Sequence, residues 1–363
     1  MTSSEMTTES SPESSSIATP IERFRAGGVI PAHPLALTDD RRLDERRQRA
    51  LTRYYVESGA LGVAVAVHST QFAVHEPARG LLEPVLSLAA ETAGEYVADG
   101  RQPLLVAGIS GDIAQAVREA ELARSLGYHL CLLAPYGVGE VTEDDLIERA
   151  RLVGEVLPVV GFYLQPAVGG RRLSRDFWRR LADLPSVVGV KAAPFNRYLT
   201  LDVVHGLAAS ERADQVALYT GNDDAIVADL LTTYEPTAGR TIDVVGGLLG
   251  QWAVWAAEAV QLHQLAQRAK AGESGLLPEL LRIAPRLTDA NGVLFDAANN
   301  FAGCIPGIHE ALRRQGLLAN LVLLDEDEVL SPGQLDELDR VWRSYPDLRD
   351  DAFIAENLDR WLA

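Results

Sequence analysis

Ser186-Val187-Val188-Gly189-Val190-Lys191-Ala192-Ala193 is a mainly apolar run with the length of a buried strand. Its apolar residues do not alternate strictly with polar ones, which is typical of a parallel strand covered on both faces. A lysine stands near its end, although only two of the 33 basic residues of the chain are lysines. A desolvated lysine can lose its proton and become a nucleophilic amine, whereas arginine stays charged. Lys191 is therefore the first candidate for a catalytic residue.

Seven more short apolar runs occur along the chain, with amphipathic segments of helical length between them. Eight strand–helix units over about 240 residues predict a (β/α)8 TIM barrel. A doubly wound open sheet is the competing architecture, but no GxGxxG follows the first strand and the sequence contains no P-loop motif. The predicted strands are Val29–Ala32, Gly62–Val67, Pro103–Gly108, His129–Ala134, Pro158–Leu164, Val187–Ala192, Val216–Thr220 and Ile242–Gly247.

The barrel is expected to occupy residues 23–270. Residues 1–22 are rich in Ser, Thr and Glu and are predicted to form a disordered leader. Residues 271–319 should form helices packed on the barrel, and residues 320–363 a C-terminal acidic helical extension. That extension is either a solvated appendage or a contact to a partner or a second copy.

Composition limits the possible functions. With 47% hydrophobic and 23% charged residues, the chain resembles soluble globular proteins. Its net charge of −18 disfavours nucleic acid as a partner. No apolar run has the length of a membrane span, and no secretory signal is evident, so a cytoplasmic location is expected. Cys131 and Cys304 cannot build a disulfide framework, and with no CxxC or HxxxH spacing we expect neither a metal nor another cofactor.

In a TIM barrel, the reacting groups lie at the carboxyl ends of the strands. Tyr163 ends the strand before that of Lys191, so its hydroxyl is expected beside the amine, where it could transfer protons. Ser69 and Thr70 follow the second strand and offer hydroxyls and loop amides to a small carboxylate. The remaining candidates for substrate contacts are His68, Tyr136, Asn222 and Gly246.

Several of these residues could instead have only structural roles. A lysine at a strand end can extend into solvent, and a tyrosine can be a core aromatic. Polar residues in turns and at helix starts often satisfy backbone groups. These alternatives apply to His33, His68, Ser69, Thr70, Asn222 and Asp223.

The motifs around these residues match a known pattern. Val188-Gly189-Val190-Lys191 matches a "GxK" strand, and Phe162-Tyr163-Leu164-Gln165-Pro166 followed by Gly170 resembles "YNxPxxxG". His68-Ser69-Thr70 stands in the place of "GTT", and Gly221-Asn222-Asp223 in that of a "GxD" turn. Over about residues 27–318 the chain thus resembles the dihydrodipicolinate synthase / N-acetylneuraminate lyase family of class I, pyruvate-dependent aldolases.

The resemblance implies a barrel enzyme in which Lys191 forms a Schiff base with pyruvate or another 2-keto acid. It also implies that Tyr163 transfers protons and that Ser69 and Thr70 hold the keto-acid carboxylate. A homo-oligomer, either a dimer or a tetramer, is the expected assembly.

Three departures from the family pattern argue against dihydrodipicolinate synthesis itself. Gln71-Phe72 replaces the "GE" of "GTTGE", and Gly137 replaces the second tyrosine of "PYY", which completes a proton relay with another protomer in the synthases. Val168 stands where the synthases carry an arginine for their aldehyde substrate. The main hypothesis is therefore a different Schiff-base lyase or aldolase. A dehydratase of a deoxy-keto sugar acid and a non-catalytic ligand-binding barrel are the alternatives.

Overall fold

The computed structural model describes residues 18–237 and 239–363 and confirms the predicted barrel. Its parallel strands are β1 (Val29–Pro31), β2 (Gly62–Val65), β3 (Leu104–Ile109), β4 (Leu130–Leu133), β5 (Val159–Leu164), β6 (Val187–Ala193), β7 (Ala217–Thr220) and β9 (Arg240–Leu249). They pair in the order β1-β9-β7-β6-β5-β4-β3-β2. Hydrogen bonds from Leu61 N–H to the Val29 carbonyl and from His33 N–H to the Ala64 carbonyl join β2 to β1. A further strand, β8 (Thr233–Thr237), pairs antiparallel with the start of β9.

Helices follow the strands around the outside of the barrel. Polar caps start several of them: the side chains of Asp44, Asp112, Thr142 and Ser174 each accept a backbone N–H from the first helical turn. The helices of this layer are α2 (Glu45–Glu57), α3 (Leu82–Gly94), α4 (Ile113–Ser125), α5 (Glu143–Gly154), α6 (Arg175–Asp183), α7 (Arg197–Ala209), α8 (Ile226–Leu231) and α9 (Ala256–Lys270).

Alternate residues of each strand enter two separate cores. One core fills the inside of the barrel and the other lies between the barrel and the helices. Along β5, Phe162 belongs to the inner core and Tyr163 to the outer one. Because side chains of a strand alternate between its faces, a one-residue shift decides which aromatic ring faces the inside of the barrel.

The first described residues form a short helix, α1 (Pro20–Ala26), which Thr19 caps. Its Phe24 is fully buried inside the barrel, stacked on the ring of Tyr219 at 4.4 Å between centroids. The predicted leader, residues 1–22, lies mostly outside the described residues. Its predicted end at residue 22 is too late, because an ordered helix begins at Pro20.

The C-terminal region adds four helices: α10 (Leu276–Leu294), α11 (Cys304–Arg314), α12 (Gln334–Ser344) and α13 (Asp351–Trp361). The extension packs firmly on the barrel. Buried Asp350 accepts a hydrogen bond from the Tyr54 hydroxyl of α2 (2.7 Å) and another from the Ala257 N–H of α9 (3.0 Å). Trp361 is fully buried beside Tyr54. The solvated-appendage interpretation is therefore wrong, since these side chains make the extension part of the folded unit.

None of the helices within residues 18–237 and 239–363 combines the length and the apolar composition of a membrane span. The same part of the chain holds no group of three or more His, Cys, Asp or Glu residues placed to bind a metal ion.

Candidate active site

A small cavity lies inside the barrel at the carboxyl ends of the strands. Its volume is about 50 Å³, room for a few water molecules or a compact ligand. The polar side chains that line it are those of Lys191, Asp223, His68, Ser69 and Gln165. The rest of the wall is apolar and includes residues of the C-terminal helices.

Lys191 lies at the centre of this arrangement, on β6, with only 7% of its surface exposed. Its Nζ lies 4.2 Å from the ring centroid of Phe162, and it forms no ion pair within 4.0 Å in the described part of the chain. Desolvation lowers the pKa of Lys191 to about 8, although the negative charge of Asp223 opposes this shift. The amine is thus much easier to deprotonate than an exposed lysine.

Gly221, in the turn after β7, makes room for the lysine side chain. A Cβ at this position would lie 2.6 Å from Lys191 Cε and 2.6 Å from Ala193 Cβ. The glycine of the "GxD" turn therefore allows the aliphatic part of Lys191 to pass close to the backbone.

Asp223, from the same turn, contributes a buried carboxyl group to the cavity. Its Oδ1 accepts the backbone N–H of Gln251 at 2.8 Å. Burial raises the pKa of Asp223 to about 7, while the Gln251 N–H and the positive charge of Lys191 act in the opposite direction. A carboxyl group whose pKa is raised and an amine whose pKa is lowered thus line one cavity.

The predicted pairing of Tyr163 with Lys191 is wrong in this structure. In the register of β5 with β6, Phe162 stands opposite Lys191 and Tyr163 opposite Ala192. The Tyr163 ring therefore points to the helix layer, where it packs 5.1 Å from the ring of Trp178 on α6. The register shifts between Val159 and Val160, a feature that a residue count between motifs cannot reveal.

The residues after β2 divide into two roles. His68 and Ser69 line the cavity, and the Ser69 hydroxyl donates to the carbonyl of Ala32 at 2.9 Å. Thr70 does not line it, because its hydroxyl is directed away to donate to the carbonyl of His33. Desolvation, with a smaller effect of the Lys191 charge, lowers the pKa of His68 to about 4, so its ring is neutral at neutral pH.

Three other predicted contacts do not face the cavity. Tyr136 is 38% exposed and stacks on Phe72 at 4.1 Å between ring centroids. Asn222 is buried, and its amide binds Thr200, Asp229 and the backbone N–H of Phe195. Gly246 lies within β9, since this strand continues to Leu249. No side chain would fit at Gly246, because the backbone of Gly28 packs against it. Gly250 lines the cavity instead.

His33 proves to be structural. It is fully buried, its Nδ1 contacts the carbonyl of Pro34 at 2.8 Å, and its Nε2 contacts the Thr52 hydroxyl at 2.9 Å. Burial lowers the pKa of His33 to about 4. It therefore serves as a neutral core residue beneath the site.

Part of the cavity wall was not predicted from the sequence. It comes from the loop after β6 and from the C-terminal helices, and its aromatic rings pack together: Phe195 and Phe301 meet at 5.5 Å between centroids. Nothing in a strand pattern marks such residues, because loops and added helices bring them to the cavity. The sequence predicts Asp223 only as a helix cap, and its place in the "GxD" turn is the signal that points to the site.

Gln71 replaces a glycine of the family pattern and keeps a conformation that favours glycine, with φ at 68°. Its side chain is buried, and its Oε1 accepts the backbone N–H of Leu324 at 2.6 Å. This bond ties the start of the C-terminal extension to the turn that carries His68 and Ser69. The substitution thus anchors the extension beside the cavity.

Comparison with known proteins agrees with the barrel fold. Residues 25–269 match the model of the Dihydrodipicolinate synthetase family. The 4-hydroxy-tetrahydrodipicolinate synthase of Thiobacillus denitrificans is 27% identical over 256 residues, which cover 70% of this chain and 80% of that protein. The corresponding enzyme of Dechloromonas aromatica is 27% identical over 233 residues, covering 63% of this chain and 75% of that protein.

Solved structures show the same fold. Dihydrodipicolinate synthase from Oceanobacillus iheyensis superposes with a TM-score of 0.71 at 19% identity, covering 91% of this chain and 100% of that one. N-acetylneuraminate lyase from Fusobacterium nucleatum, complexed with pyruvate, gives a TM-score of 0.68 at 16% identity and covers 89% of this chain and 98% of that one. With its family match over most of the barrel, this chain belongs to the Dihydrodipicolinate synthetase family, whose members are lyases of the class I aldolase type.

Proposed function

We propose that this protein is a Schiff-base-forming lyase or aldolase that acts on pyruvate or another 2-keto acid through Lys191. The buried, unpaired amine of Lys191 at the carboxyl end of β6 carries this proposal. An amine of lowered pKa can attack a ketone, and the resulting protonated imine accepts electrons when a C–C bond breaks or forms.

The keto-acid carboxylate would bind beside Ser69, at the turn after β2. This turn lies against the same cavity as Lys191, which is the arrangement that a small 2-keto acid requires. Family membership and the pyruvate complexes of a related lyase and of the synthase from Acinetobacter baumannii support a substrate of this class.

We propose further that the second substrate differs from that of dihydrodipicolinate synthase. Val168 lines the cavity where the synthase pattern carries an arginine, and none of the arginines in the described chain does so. A second substrate with its own carboxylate would therefore find no guanidinium group in the cavity wall.

Incubation with pyruvate followed by borohydride reduction tests the proposal. Reduction should add one pyruvate to the protein mass, and peptide mapping should place it on Lys191. A dehydratase working through the same imine would be recognised by water loss from a deoxy-keto sugar acid, whereas an aldolase would release an aldehyde. A binding barrel would hold the ligand with no covalent adduct.

We also propose that the enzyme works in the cytoplasm as a homo-oligomer. The family resemblance supports the oligomer, and the sparing use of cysteine supports the compartment. Light scattering on the purified protein measures the mass of the assembly, and a monomer would overturn this part of the proposal.

A further inference from the structure

An imine-forming lysine needs a partner that delivers and removes protons, because the carbinolamine must lose its oxygen as water. The hydroxyl of Tyr163 is not available for this role, since its ring lies in the outer core beside Trp178. Phe162, which takes the inward position next to Lys191, has no ionisable group.

The polar groups that line the cavity leave few substitutes. The Ser69 hydroxyl already donates to the Ala32 carbonyl, and the Gln165 amide does not titrate. His68 is neutral at neutral pH and a weak base, because desolvation lowers the pKa of its ring to about 4. Burial and nearby acidic groups raise the pKa of the Cys304 thiol well above its usual value, so it stays protonated and is a poor proton acceptor.

We propose that Asp223 is the proton carrier of the imine chemistry, in place of a tyrosine. This inference rests on the proposed function of Lys191. Asp223 is 6% exposed, and one of its oxygens is fixed by the Gln251 N–H, which orients the carboxyl group in the cavity wall. The other oxygen, Oδ2, accepts no hydrogen bond from the described residues and lies beside Gly250, which lines the same cavity.

The proton balance of the step is complete with these two residues. One proton moved from the Lys191 ammonium to the Asp223 carboxylate gives a neutral amine and a carboxylic acid, with no change in total charge. The amine attacks the ketone carbon, and the carbonyl oxygen takes up a proton from nitrogen to give the neutral carbinolamine.

Asp223 then donates its proton to the carbinolamine hydroxyl. The C–O bond breaks, water leaves, and the nitrogen lone pair forms the C=N bond. The products are an iminium ion on Lys191 and a carboxylate on Asp223, which neutralise each other within the cavity. The carboxylate can next accept the proton from the carbon adjacent to the imine, which yields the enamine.

The decisive experiment compares the rate of borohydride-trappable imine formation with pyruvate in wild type, Asp223→Asn, Asp223→Glu and Asp223→Ala. If Asp223 carries the proton, Asn should slow the rate by roughly 10²- to 10⁴-fold. Glu should retain part of the rate, and sodium formate added to the Ala variant should restore part of it, because formate can occupy the vacated space and carry the proton.

A purely electrostatic role of Asp223 predicts the opposite change in the rate of imine formation. The Asp223 charge keeps Lys191 protonated, so its removal would increase the free amine and leave imine formation as fast as in wild type or faster. That result, or an Ala variant that formate does not accelerate while its circular dichroism is native, would overturn the proposal. If wild type itself forms no adduct, the proposed function fails first; if wild type reacts and Asp223→Asn reacts equally fast, only the role of Asp223 fails.

Discussion

Phe162 faces Lys191 across the β5–β6 pair, with the lysine Nζ 4.2 Å from the ring centroid. The aromatic ring desolvates the amine and offers it only the weak attraction of a π face. The motif spacing predicts a tyrosine at this position. The difference changes which residue can move protons in the site and leads to the first prediction.

Replacement of Tyr163 by Phe should leave the rate of imine formation within about twofold of wild type, since the hydroxyl lies outside the cavity. The stability should change little as well, because the buried hydroxyl makes no side-chain hydrogen bond among the described residues. Trapping kinetics and urea unfolding check both expectations. A 100-fold slower reaction would show that the phenol does reach the reacting atoms.

Gly221→Ala should disturb Lys191 directly. The added methyl group would lie 2.6 Å from Lys191 Cε, so the lysine must move, and overpacking should cost about 1–3 kcal/mol. We expect at least a tenfold slower trapping reaction.

The matched control for that variant is Gly292→Ala on α10, where an added Cβ has no atom within 4 Å. Its helix should gain about 0.5–1 kcal/mol with no change in trapping. Equal trapping rates in the two variants would contradict the account of Gly221.

The hydrogen bond that anchors the extension predicts an order of stability for two variants at position 71. Both Gln71→Ala and Gln71→Gly remove the acceptor of the Leu324 N–H, which should cost about 1–3 kcal/mol. Gly should be the less destabilising, since it adopts the positive φ of 68° without strain. Urea unfolding measures the difference. An Ala variant as stable as wild type would show that this hydrogen bond does not hold the extension.

The free energy of unfolding should decrease as the pH falls, because the buried histidines then become charged. The folded-state pKa of His33 is about 4, below its ordinary value of 6.5. The stability that neutral His33 contributes is therefore fully present above pH 6.5 and is lost as the pH falls toward 4. A shift of this size is worth about 3 kcal/mol.

His33→Gln should therefore flatten the decline of the unfolding free energy between pH 6.5 and 4, even if it lowers stability at pH 8. His205→Gln, at a partly exposed position on α7, is the control that should keep the wild-type slope. Urea titrations at stepped pH provide the slopes, and an unchanged slope in His33→Gln would refute the assignment.

The barrel could be predicted from the sequence because its strands are short apolar runs, and each is bounded by polar turns. Lys191 could be predicted because a lysine is costly inside such a run and because so few lysines occur elsewhere. Both signals are local in the sequence, so they can be recognised without knowing how the strands pair.

Other features depend on contacts that the sequence pattern does not contain. The inward position of Phe162 follows from a register shift, and the β9 strand runs past Gly246 because its continuation pairs with β1. The docking of the extension depends on Asp350 meeting Tyr54 almost 300 residues earlier in the chain, at 2.7 Å. Such long-range pairings determine which polar residues enter the cavity and which remain structural.

The most direct measurement of the central claim is the intact mass of the protein after reaction with pyruvate and borohydride, for wild type and for Lys191→Ala. We predict one reduced pyruvate adduct in wild type, mapped to the peptide with Lys191, and none in the variant, while Lys270 stays unmodified. A folded wild-type protein that shows no adduct, or an adduct that persists in Lys191→Ala, would contradict the account.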